Sequence, residues 1–131
     1  MKAKLDHVAI AVHSIAAAAE IYRQLGLGEP HTCTMEEMGL RAGFLAAGDS
    51  QIELLEPLRA DSVVGKFLAR RGEGLHHICF EVDDLEASLA ELAAQGVELI
   101  DRTPRQGAEG RVAFIHPRAA HGVLIELVQK H

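Results

Sequence analysis

From position 5 to 12 apolar residues alternate along a run rich in branched side chains, the period-two pattern of a half-buried strand. After Ser14 the period lengthens. Ile15, Ala18, Ala19, Tyr22 and Leu25 fall on one helical face, with Ser14 placed to cap the helix and Gly26 to stop it. A short strand over 31–35, a loop over 36–39 and a strand over 40–46 follow. Gly48-Asp49 reads as a hairpin turn, and 51–56 as the next strand, closed by Pro57. Asp61 or Ser62 can cap a short helix over 63–70, and Arg71-Gly72-Glu73-Gly74 has the composition of a linker.

The pattern then starts again. A strand is expected over 75–82 and a helix over 85–95, capped by Asp83 or Asp84 and ended by Gly96. A short strand over 98–100, a Pro/Gly loop over 103–110, a strand over 112–115 ended by His116-Pro117, and a last strand over 123–128 complete the chain. The repeat is visible in the residues themselves. Leu5-Asp6-His7-Val8-Ala9-Ile10 recurs as Leu75-His76-His77-Ile78-Cys79-Phe80, and Ile52-Glu53-Leu54 as Ile125-Glu126-Leu127. The expected fold class is therefore α+β, with two tandem βαβββ modules, 1–71 and 72–131, forming a single domain over 1–131. One module alone leaves a sheet face uncovered, so the two sheets are expected to close around a shared cleft. Open strand edges make a homodimer the expected assembly.

Each module carries one His on its first strand and one Glu on its last, inside apolar runs. Alternate side chains share a strand face, so His7 lies with Leu5 and Ala9, Glu53 with Gln51 and Leu55, His77 with Cys79, and Glu126 with Leu124 and Val128. An isolated carboxylate among apolar neighbours is costly, and two at repeat-related positions call for one explanation. A divalent cation supplies it: His7, Glu53, His77 and Glu126 offer two neutral imidazoles and two carboxylates. His76 aligns with Asp6 and points to the other face, which selects His77. Gln51 shares the face of Glu53 and is a fallback ligand, a supporting hydrogen-bond donor or a substrate contact. Glu56 and Glu81, near strand ends, are expected to be solvated, and His13, His31, His121 and His131 to be surface residues. Arg111 and Arg118, beside the loops of the second module, and His116 at a strand end are candidate substrate-binding residues; Arg105 and a second basic group, Lys66, Arg70 and Arg71, are further candidates for phosphate.

The net charge of −6 argues against nucleic acid as a partner. No run of apolar residues is long enough to cross a bilayer, and 1–4 lead directly into a strand, so a cytoplasmic protein without membrane association is expected. Cys33 and Cys79 form neither a zinc-type pair nor a disulfide framework and read as reduced thiols.

Five segments carry a resemblance to a known family: Leu5 to Ile10; Gly48-Asp49-Ser50-Gln51-Ile52-Glu53-Leu54-Leu55-Glu56-Pro57; Gly72-Glu73-Gly74-Leu75-His76-His77-Ile78; Gly110-Arg111-Val112-Ala113-Phe114-Ile115-His116-Pro117; and Gly122 to Leu127. In order and over almost the whole chain, they resemble the methylmalonyl-CoA epimerases of the vicinal oxygen chelate, or glyoxalase-like, superfamily. The resemblance implies a divalent ion held by His7, Glu53, His77 and Glu126, cobalt first and zinc, nickel, manganese or magnesium as alternatives. It implies an acyl-CoA substrate and interconversion of (2R)- and (2S)-methylmalonyl-CoA. A metal that chelates the carboxylate and thioester oxygens stabilises the enolate formed when the C2 proton leaves. Glu126 is implied as one acid/base. Some family members carry a Glu after the Gly-x-Arg segment and a Gln at the metal. Here Gly39-Leu40-Arg41 is followed by Ala42 and Glu53 takes the metal position, so Glu53 is the candidate base for the opposite face. Two alternatives use the same fold. A glyoxalase I-type lactoylglutathione lyase shares the four ligands, and a drug-binding resistance protein needs a hydrophobic cleft and no metal, which one Tyr and no Trp disfavour.

Overall fold

Alternating burial along the strands organises the computed structural model, which describes residues 1–131. Its contacts group into two units, His7–His76 and Met1–Asp6 with His77–His131.

The first unit carries β1 (Lys4–Ala11, with its first three residues in the other unit), α1 (Ile15–Gln24), β2 (His31–Met35), β3 (Leu40–Ala47), β4 (Ser50–Pro57) and α2 (Val63–Arg71). Its strands run in the order β2-β3-β4-β1, antiparallel except for the β1–β4 pair. Adjacent residues of one strand feed opposite cores. Leu54 packs with Val12, Ile15, Ala19 and Leu45 under α1. Leu55 packs with Ala9, Ala11, Leu40 and Ala42 against Val64, Phe67 and Leu68 of α2. Both helices begin where the caps were expected. Ser14 Oγ accepts the Ala17 N–H at 3.2 Å, and the buried Ser62 Oγ accepts the Gly65 N–H at 3.0 Å while donating to the Arg59 carbonyl at 2.7 Å. The expected loop over 36–39 is one 3-10 turn, Glu36–Met38, ended by Gly39 in the left-handed region at φ 67°. Glu56 departs from expectation. Its Oε1 accepts the Ile15 N–H at 2.8 Å, serving the first turn of α1 from the strand beside it.

The second unit carries β5 (Gly74–Glu81, with its first three residues in the other unit), α3 (Leu85–Ala94), β6 (Arg105–Gln106), β7 (Gly110–Ile115) and β8 (Ile125–Lys130), in the order β5-β8-β7-β6. Again the outer pairs are antiparallel and β5–β8 is parallel. Val82, Leu85, Leu89, Ala113, Ile115 and Leu127 form the core beneath α3. Asp84 caps α3 by accepting the Ala87 N–H, and Gln129 Oε1 accepts the Leu85 N–H at 2.8 Å, the repeat's counterpart of Glu56. Met1–Asp6 joins this unit through Lys130 Nζ, 2.5 Å from Asp6 Oδ1, and Lys4, 3.7 Å from Glu81.

Two strand expectations change. The segment 98–100 makes only a single bridge, Leu99 to Ile115, because the Asp101 side chain accepts the Phe114 N–H at 2.9 Å where a ladder carbonyl would otherwise do so. The two-residue strand beside β7 comes instead from the loop, at Arg105–Gln106. The last strand starts at Ile125, because a 3-10 turn, Pro117–Ala120, and left-handed His121 (φ 55°) occupy the residues before it. No helix is long and apolar enough to cross a membrane.

Candidate active site

Parallel pairing explains how each unit sets a histidine beside a glutamate. In the first unit Ala9 of β1 lies in register with Glu53 of β4, so His7, two residues earlier on the same face, leans along the strand toward that carboxylate. His7 Nε2 is 3.6 Å from Glu53 Oε1. In the second unit Cys79 of β5 is in register with Glu126 of β8, and His77 Nε2 is 3.1 Å from Glu126 Oε1. Glu53 and His77 rank among the few buried polar residues, at 9% and 7% exposure. Burial of this kind is stable only where the polar atoms have partners; the second pair stands within hydrogen-bond distance and the first in a looser contact.

The spacing within each pair also suits a cation. Two ligands about 2.0–2.2 Å from one ion at right angles stand roughly 3 Å apart. Nitrogen with carboxylate oxygen is a donor set for a borderline divalent metal. Each pair can therefore supply two neighbouring ligands.

The other candidates have structural partners. Gln51 is exposed and in register with His7. Arg111 donates to Glu86 Oε1 at 2.6 Å and to Gln129 Oε1 at 3.3 Å. Arg118 binds both oxygens of Glu98, at 3.1 and 2.6 Å, and its N–H donates to His116 Nδ1 at 3.0 Å. The Arg118 hydrogen bonds hold the Glu98 carboxyl below its ordinary range, and the same contact raises the Arg118 guanidinium. His116 and Arg118 form a cluster with Glu98, and Arg111 forms one with Glu86 of α3. His13, His31, His121 and His131 are exposed.

A further feature of the second pair was readable but overlooked. Phe114 of β7 is in register with Glu126, and its ring centroid lies 6.2 Å from that of His77 at an interplanar angle of 85°. The repeat offered the signal, since Phe44 of β3 is likewise in register with Glu53.

A family profile described as the Glyoxalase/Bleomycin resistance protein/Dioxygenase superfamily matches residues 6–114, and the chain belongs to that superfamily. More particular likenesses follow. An uncharacterized protein of Bacillus subtilis, YqjC, is 49% identical over 96% of this chain and 91% of its own length. The mitochondrial methylmalonyl-CoA epimerase of Dictyostelium discoideum is 38% identical over 97% of this chain and 78% of its own. A solved methylmalonyl-CoA epimerase in complex with methylmalonyl-CoA and ammonium superposes with a TM-score of 0.86 at 42% identity, covering 99% of this chain and 96% of that one. The α+β expectation and the glyoxalase-like fold are thereby established for this chain.

Proposed function

We propose that this chain interconverts the (2R) and (2S) forms of methylmalonyl-CoA by moving the proton at C2. The observation that carries the reading is the buried His–Glu pair, built once in each unit by the same parallel-strand register. End-to-end similarity to named epimerases supplies the substrate class, an acyl-CoA.

His7, Glu53, His77 and Glu126 are proposed as the four ligands of one divalent ion, with cobalt the first to test, and the 1–131 chain as one functional domain. A bound ion would draw electron density from the two oxygens that flank C2 and so lower the cost of removing its proton. The chain's own groups do the rest. Glu126 takes the C2 proton onto a carboxylate oxygen, and the electron pair of the broken C–H bond spreads into the adjacent carbonyl of the substrate. Glu53, protonated, returns a proton to the opposite face of C2, and the next turnover runs the other way. The histidines keep each carboxylate aimed. Ala42 is fully buried in the core under α2, so the strand position that carries a Glu in some relatives of the superfamily offers no base here, which favours Glu53 for the role. Exposed β2 offers an edge on which two copies could pair, and a homodimer is part of the reading.

The test follows the C2 proton of (2S)-methylmalonyl-CoA by NMR in heavy water with cobalt-loaded protein. Metal-dependent loss of the signal together with appearance of the other epimer is expected. Absence of exchange with cobalt demonstrably bound would overturn the reading. Glu53→Gln is expected to keep exchanging the proton of one epimer while losing net epimerisation, and a full epimerisation rate in that variant would remove Glu53 from its role.

A further inference from the structure

We propose that Phe114 is a positioning residue that fixes the His77 imidazole against Glu126. The inference rests on the reading of His77 and Glu126 as a working pair.

An imidazole on a strand has two torsions to lose, and its Nε2 stands 3.1 Å from Glu126 Oε1. Phe114 supplies a second restraint. Its register on β7 puts its Cβ directly across the ladder from Glu126, within the 4.5–5.5 Å typical of opposed residues. Its ring meets His77 nearly at right angles, with centroids 6.2 Å apart, a favoured arrangement for two aromatic rings. A ring in that place restricts rotation of the imidazole.

Phe114 is itself held. Its N–H donates to Asp101 Oδ2 at 2.9 Å, the same oxygen accepts from Arg105 Nη2 at 3.0 Å, and the Arg105 guanidinium carbon stands 5.3 Å from the centre of the Phe114 ring. Asp101 therefore ties the backbone of Phe114 to the cation that covers its ring. Phe114 is the penultimate residue of β7, beside a segment that makes a single bridge, and there Asp101 serves its N–H. The effect of this clamp is a ring with little freedom, abutting the imidazole. Phe44 shares the register but not the clamp: it faces Glu53 across β3–β4 and packs against the core that contains Ala42 and Leu55.

The experiment compares the wild type with Phe114→Leu, which keeps an apolar side chain of similar bulk, and with Phe114→Tyr, which keeps the ring; Phe44→Leu, in the matching register, is the control and should leave the His77 signals unchanged. Two readouts are taken: the ring nitrogen and carbon-bound proton NMR signals of His77 in metal-free protein, and the cobalt affinity by calorimetry. The expected result for Phe114→Leu is an averaged His77 spectrum and about 10-fold weaker cobalt binding, the scale of losing an outer-shell partner of a ligand. Phe114→Tyr restores both. Turnover should show the loss in kcat with KM within two-fold. An unchanged His77 spectrum in Phe114→Leu overturns the proposal, as does failure of the tyrosine to rescue it. Wild type that binds no cobalt would overturn the four-ligand reading, and the metal-free His77 spectrum would still decide the role of Phe114.

Discussion

Replacing Gly110 with alanine tests how closely the second unit is built around the ladder that carries Glu126. Gly110 opens β7 opposite Lys130, and its backbone carbonyl accepts the Gly107 N–H at 2.7 Å. A Cβ at this position would sit 2.1 Å from the Gln129 carbonyl oxygen and 2.9 Å from the Gln129 carbonyl carbon and from Lys130 Cα. These are backbone atoms of the neighbouring strand, so no rotamer change relieves the contact. The strands must part by more than an ångström to restore ordinary van der Waals separation. Overpacking of this kind costs about 1–3 kcal/mol, and loss of a ladder bond or the Gly107 contact adds about 0.5–1.5 kcal/mol. The expected destabilisation is therefore about 2–4 kcal/mol, measured as a fall in the urea midpoint at constant slope. The separation begins three to four residues from Phe114 and Glu126, so epimerase activity should fall even at temperatures where the variant is folded. A change below about 0.5 kcal/mol would refute the reasoning, since it would mean the strands can part at negligible cost.

Ser62→Ala removes a buried cap that both accepts from Gly65 and donates to Arg59, and a loss of about 1–2 kcal/mol in chemical denaturation is expected. Glu98 has a folded pKa below its unfolded one, so its contribution is present above the ordinary glutamate range and disappears as pH falls through the folded value; Glu98→Gln should flatten that part of the acid stability profile. Lys130 is shifted upward chiefly by its hydrogen bond to Asp6, so the opposite sign holds: its contribution is present below the ordinary lysine range and lost as pH rises through the folded value, and Asp6→Asn should reduce this alkaline dependence. Cobalt at 100 times its dissociation constant should stabilise chelator-stripped protein by about 2.7 kcal/mol and restore C2 exchange, and an unmoved melting curve would count against the four proposed ligands.

Much of this molecule could be read from its chain because the signals repeat. Ser14 and Asp84 cap helices at matching places, and His7 and His77 sit mid-strand on strands whose apolar faces alternate in the same phase. Periodicity reports where a residue sits on its own element, and that was enough to place His7, Glu53, His77 and Glu126 at repeat-related strand positions once the repeat was aligned. It was blind to side chains that replace backbone partners. Asp101 takes a ladder position by accepting the Phe114 N–H, which moved the expected strand from 98–100 to Arg105–Gln106. Glu56 reads as a solvated charge from its neighbours, yet it serves a helix end 41 residues earlier in the chain. The fates of Arg111 and Arg118 were hidden for the same reason, since their carboxylate partners, Glu86 and Glu98, lie 25 and 20 residues away in sequence.

The two units have kept one backbone plan and diverged in what decorates it. Both use the last strand to satisfy the first N–H of a helix, but with a carboxylate at Glu56 and an amide at Gln129. Both set a phenylalanine across from the glutamate, but only Phe114 is clamped by Asp101 and Arg105 and touches the imidazole. The His–Glu separation follows the same division, 3.1 Å in the clamped pair and 3.6 Å in the other. An epimerase needs this kind of inequality. Proton removal and proton return occur on opposite faces of one carbon, so its two acid/base groups cannot be interchangeable in where they point, although each must serve in both directions. A duplicated scaffold provides two carboxylates at equivalent places; divergence around them, with Ala42 buried near one and Phe114 beside the other, gives each different surroundings for the proposed acid/base roles.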